Sequence, residues 1–206
     1  MKNTLSILTA LLLTSRLALT AAEVVPPLPD KSALHTLAIG DPAPDFTLPG
    51  IDGRTHRLAD YQEAKLLMIA FISNHCPDSH AAEGRIMQLV ADLKGKSFAL
   101  VAVNPNNPDG LSITELGCSK YNDGFDDMKK YAAEQGFTFP YLYDGETQAA
   151  ARALGCIATP HVFIFDAQRK LRYQGQLADS RFADPATVKS KDARNAIEAL
   201  LASRPN

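Results

Sequence analysis

At 206 residues, with 46% hydrophobic and 21% charged residues, the chain has the length and composition of one globular domain with a full core, which excludes wholesale disorder. A net charge of −2 without any basic block leaves no nucleic-acid footprint. Three cysteines are too few to staple a disulfide-rich scaffold.

The first 22 residues read as a signal peptide: Lys2 supplies a positive start, Leu5 to Thr20 is mostly apolar, and Thr20-Ala21-Ala22 offers small residues for cleavage. Arg16 leaves the apolar run too short and too polar for a bilayer span, so no stable membrane anchor is expected, and the protein is expected to be periplasmic or secreted. Residues 23–38, with Pro26, Pro27 and Pro29, read as an extended linker, and residues 39–206 as the folded domain. In an oxidising compartment the odd number of cysteines, Cys76, Cys118 and Cys156, leaves at least one thiol for chemistry or for a partner protein.

Within the domain, Asp45–Leu48 and Thr55–Leu58 flank a turn at Gly50–Gly53 and predict a hairpin. The continuous apolar run Leu66–Ile72 suits a strand buried on both faces. Pro77 opens a helix that Gly95 stops, and Phe98–Val103 is a second buried strand. A long polar connection over 104–122 carries Cys118. An amphipathic helix over 125–135 ends at Gly136, and a short one over 147–154 ends at Gly155. His161–Asp166 and Leu171–Gly175 pair through a turn near Gln168, and a helix over 187–203 closes the chain. Strands separated by helices imply crossovers and a sheet covered on both faces: a three-layer α/β domain with a central mixed sheet and an N-terminal hairpin extension.

Cys76 lies where the first buried strand ends and a helix begins. Helix N-termini carry partial positive charge and unpaired N–H groups, so a thiolate there is stabilised and reactive. The carboxyl end of a strand in an open α/β sheet is also where ligands sit. His75 and His80 flank the thiol and suit proton transfer, whereas Asp78 opposes a nearby thiolate.

Three stretches resemble one family. Gly40-Asp41-Pro42-Ala43-Pro44-Asp45-Phe46-Thr47-Leu48 is similar to the opening of the alkyl hydroperoxide reductase and thiol-specific antioxidant redoxins, and Asn74-His75-Cys76-Pro77 to their active-site strand and helix. Ala158-Thr159-Pro160, followed by His161–Asp166, resembles the thioredoxin-type cis-proline loop and its strand. The resemblance implies a thioredoxin-like fold, a cis peptide between Thr159 and Pro160 set against Cys76, and a loop whose backbone pairs with an extended substrate. It implies a thiol–disulfide oxidoreductase or antioxidant redoxin that acts on protein disulfides or peroxides, with no cofactor and with an external thiol as reductant.

The pattern departs from the family in two places. Ser79 stands where a C-x-x-C pair has its second cysteine; it can donate a hydrogen bond to the thiolate but cannot resolve a mixed disulfide. Ser73 fills the hydroxyl position of a peroxidatic motif, but Ile69 replaces its proline, which weakens a thiol-peroxidase reading. Cys156, four residues before Pro160, and Cys118 are the candidate resolving thiols. A copper-binding alternative draws on His75, Cys76, His80 and His161 but lacks the paired C-x-x-x-C, because His80 stands at the second position. A third alternative keeps the fold for binding without catalysis.

Overall fold

The computed structural model describes residues 36–202. The expected signal peptide and most of the expected linker lie outside the described residues. The end of that linker is already packed: Leu37 is buried, and its carbonyl accepts from the Gln174 side-chain amide at 2.7 Å.

A hairpin of β1 (Thr47–Pro49) and β2 (Thr55–Arg57) precedes a five-stranded sheet of β3 (Leu66–Phe71), β4 (Phe98–Asn104), β5 (Tyr141–Tyr143), β6 (His161–Phe165) and β7 (Leu171–Gly175). The sheet order is β5-β4-β3-β6-β7, with β3, β4 and β5 parallel and β6 and β7 antiparallel to their neighbours. The mixed sheet expected from the alternation of strands and helices is therefore present. The sequence reading passed over β5, which is three residues long and follows Pro140.

Every residue of β3 is buried, as a central strand with both faces covered requires. Side-chain alternation divides the core in two. Met68 and Ala70 join α1 (Pro77–Asp92), α2 (Phe125–Gln135) and α4 (Asp192–Ala202) through Ile86, Met128 and Ile197. On the opposite face Leu67, Ile69 and Phe71 join Phe46 and Leu48 of the hairpin region and Leu154 of α3 (Ala149–Leu154). The result is a three-layer α/β fold. The closing helix starts later than expected, because the Asp184 side chain and Pro185 build a separate 3-10 turn over Pro185–Thr187. Among the described residues no helix is long and apolar enough to cross a membrane.

Candidate active site

Cys76 is the N-cap of α1, with extended backbone (φ −78°, ψ 118°), and its carbonyl accepts the His80 N–H at 3.1 Å. Pro77 occupies the first helical turn, where a missing N–H costs no hydrogen bond. The thiol is half-buried, and Sγ donates to the carbonyl of Thr159 at 3.1 Å. The Thr159–Pro160 peptide is cis. Cys76, past the carboxyl end of β3, thus meets the Thr159–Pro160 pair just ahead of β6, Thr159 lying 83 residues further along the chain.

Ser79 is wholly buried, and its hydroxyl accepts the Ser73 N–H at 3.2 Å. It fastens the end of β3 to the first turn of α1. The Ser73 hydroxyl in turn bonds the Thr159 hydroxyl at 3.1 Å, which ties the strand end to the cis-proline loop. Asp78, expected to oppose a thiolate, forms an ion pair with Arg181 at 3.1 Å that offsets part of its charge.

His75 has a partner that the sequence reading did not identify. Its Nδ1 lies 2.6 Å from Oδ2 of Asp123, a wholly buried carboxylate. A carboxylate only accepts, so Nδ1 carries the proton and Nε2 of the neutral ring is the acceptor. Asp123 collects three further donors: the Asn74 N–H at 2.7 Å, the His75 N–H at 3.3 Å and the Asn106 side-chain amide at 2.7 Å. Four donors fill the lone pairs of this buried charge, the condition under which a buried carboxylate is tolerated. Asn74 is fixed at both ends of its amide, donating to Asn122 O at 2.7 Å and accepting from the Tyr141 hydroxyl at 3.1 Å. Asn106 sits on a loop against which the Gly145 backbone packs so closely that a Cβ there would lie 2.0 Å from the Asn106 carbonyl. Asp123 gave no motif to read; it lies in the polar stretch Asn122-Asp123-Gly124 before α2, where an acid ordinarily reads as a helix-start residue.

His80 joins this network through the Asn74 backbone. Its Nε2 lies 2.6 Å from Asn74 O, and its ring stacks on Tyr131 with centroids 5.4 Å apart. The Tyr131 hydroxyl donates to both oxygens of Glu83, at 2.9 and 2.8 Å. Burial pushes the Glu83 carboxyl up to about 7, against the smaller opposing effect of the Tyr131 hydrogen bond. His161, at the start of β6, accepts the Ile157 N–H at 3.5 Å, and burial lowers its pKa, so it is neutral. The four residues of the copper alternative are thus held by separate protein partners, and among the described residues no three His, Cys, Asp or Glu converge on one point.

Cys156 lies just beyond the left-handed Gly155 that ends α3. Its thiol donates to Ala158 O at 3.2 Å, and the residue packs against the core on the hairpin side of the sheet. Burial pushes this thiol up to about 12. The thiols of Cys76 and Cys156 are both free. Cys118 ends a 3-10 turn over Glu115–Cys118. The Glu115 carboxyl in that turn is held low by the Ser112 N–H and hydroxyl.

The chain is similar in sequence and in structure to known proteins. The chain is 28% identical over 136 residues to the thiol-disulfide oxidoreductase ResA of Geobacillus thermodenitrificans, covering 66% of this chain and 68% of the relative. Among solved structures, an uncharacterized conserved protein from Geobacillus kaustophilus is 38% identical with a TM-score of 0.71, covering 82% of this chain and 84% of that one. A hypothetical protein from Sinorhizobium meliloti 1021 is 31% identical with a TM-score of 0.70, covering 81% and 86%. Residues 39–174 match the model of the AhpC/TSA family, and the chain belongs to that family.

Proposed function

We propose that the protein is an exported thiol–disulfide oxidoreductase whose single reacting thiol is Cys76. The observation that carries this reading is the seat of Cys76: a half-buried thiol at the start of α1, bonded to the carbonyl that precedes a cis-proline. The N-terminus of α1 favours negative charge at Sγ, whereas Thr159 O accepts a hydrogen bond only from the protonated thiol. Loss of the proton therefore releases Sγ from the loop as it becomes a nucleophile. His75, its Nδ1 occupied by Asp123, keeps Nε2 for proton exchange with the thiol and with the leaving group.

In this scheme the Cys76 thiolate attacks one sulfur of a substrate disulfide. A Cys76–substrate disulfide forms, the substrate S–S bond breaks, and the second substrate sulfur leaves as a thiolate that takes up a proton. An external thiolate then attacks the Cys76 sulfur, the remaining substrate sulfur leaves as a thiolate, and a second external thiolate displaces Cys76 as the two external thiols leave joined in a disulfide. Ser79 offers no sulfur for this second step, and a Cys156 thiol pushed up to about 12 supplies almost no thiolate at neutral pH. The ResA name of a relative supports the disulfide over the peroxide reading.

Mass spectrometry tests the scheme. When the reduced protein is mixed with oxidised insulin and no external thiol, a Cys76–insulin adduct accumulates, and dithiothreitol dissolves it. Sulfenic acid at Cys76 after hydrogen peroxide, with no adduct from insulin, would favour a thiol peroxidase instead. Export predicts a mature chain beginning at Glu23, which N-terminal sequencing of the secreted protein checks.

A further inference from the structure

The face of α1 away from the thiol forms one wall of a cavity of about 460 Å³, well within the ~300–1,000 Å³ of small-molecule sites. Gly84, Arg85 and Leu89 line it from α1, and Leu177, Val188 and Lys191 from the chain beyond β7. This second wall lies beyond the residues that the family model matches, so the cavity is not part of the shared redox site.

The charge of the lining is one-sided. Arg85, Lys191 and Arg194 contribute to it, and no Asp or Glu does. Arg194 is neutralised from outside by Asp92 at 2.6 Å. Arg85 is not: its guanidinium donates only to the backbone carbonyls of Phe182 (2.7 Å) and Ser180 (3.0 Å), and its Nε is buried without a partner. Among the described residues Lys191 has no ion-pair partner either. A partly buried guanidinium without a counter-charge is costly, and an anion in the cavity would offset that cost. The floor that Leu89, Leu177 and Val188 supply is apolar.

We propose that this cavity binds a small amphipathic carboxylate, its hydrocarbon part against Leu89, Leu177 and Val188 and its charge met by Arg85 and Lys191. The site is independent of disulfide exchange at Cys76. It reaches the thiol's surroundings through His80, which lines the cavity and holds Asn74 O, and through the loop that Arg85 and the Arg181–Asp78 pair fasten to α1.

Calorimetric titration of the full protein with decanoate tests the site. One decanoate binds per chain, and decanol, which has the same tail without the charge, binds at least about tenfold more weakly. Gly84→Leu fills the cavity mouth and abolishes saturable binding. A Cβ at Gly84 meets nothing within 4 Å, and removing a glycine from a helix interior favours the helix, so this variant folds. Lys191→Glu weakens decanoate about tenfold or more while leaving decanol unchanged. Both variants reduce insulin at the parental rate without decanoate, which separates failure of the site from failure of the redox chemistry. Absence of saturable decanoate binding up to about 1 mM, equal binding of decanol, or unchanged binding by Gly84→Leu would each overturn the proposal.

Discussion

Two thiols hang on the loop between α3 and β6, and their surroundings make them opposites. Cys76 donates to Thr159 O from the start of a sixteen-residue helix, among His75, Ser73 and Asn74. Cys156 donates to Ala158 O from just past the end of α3, packed on the apolar side of the sheet. A helix start favours an anion, whereas a helix end disfavours one and an apolar wall withholds its solvation. On the proposed function the same group reacts in one setting and stays idle in the other, although both bond the same kind of partner at nearly the same distance.

The sharpest way to break this comparison is to remove each thiol in turn. Cys76→Ser is expected to bring insulin reduction down to the uncatalysed rate, whereas Cys156→Ser stays within about twofold of the parent. A comparable loss in Cys156→Ser would make Cys156 a resolving thiol and end the contrast. Alkylation separates the two sulfurs directly. A thiol at about 12 holds roughly a thousandfold less thiolate at pH 8 than a free cysteine, so iodoacetamide should label Cys76 long before Cys156 in a peptide map.

The third test concerns what distinguishes the Cys76 side chemically. His75→Gln is expected to slow insulin reduction by about a hundredfold, with little change in melting temperature. Asp123→Asn should slow the reaction to a similar extent. It should also cost about 3 kcal/mol of stability, because an amide presents its NH₂ to donors that the carboxylate accepted. A loss of stability with the rate of the folded protein unchanged would reduce Asp123 to a purely structural role.

The fourth test isolates burial, the influence that silences Cys156, at a second group. Glu83 is raised by burial from its ordinary 4.5 to about 7. The folded state therefore holds this proton more tightly than the unfolded state. The contribution of this group to stability is full below about pH 4.5, falls as pH rises to about 7, and is level beyond that. The loss over this window is on the order of 3 kcal/mol. Glu83→Gln is expected to remove it, and urea unfolding at pH 5 and pH 8 measures the difference.

The elements that the sequence revealed are those whose cause is local. The apolar run of β3, the proline that opens α1 and the glycines that stop α2 and α3 each act within a few residues, and so does the placement of Cys76 between strand and helix. Thr159 and Pro160 were legible through family resemblance alone. Asp123 was not, because its role depends on a partner 48 residues away and its own neighbours read as a polar connection. Ser79 was legible as an absent cysteine. Its bond to Ser73 depends on how β3 meets α1 and leaves no mark in the spacing. Strand β5 escaped because three residues are too few to show an alternation.

The buried Ser79 has a kinetic consequence. A paired cysteine presents its thiol at an effective concentration fixed by geometry, so a mixed disulfide in such a site lasts for a time that the protein itself sets. Under the proposed function, a hydroxyl there makes the lifetime of the Cys76 adduct vary inversely with the concentration of free thiol around the protein. Disulfide exchange at this site then works as a clock whose period the surrounding medium sets: slow turnover where thiols are scarce, rapid release where they are abundant.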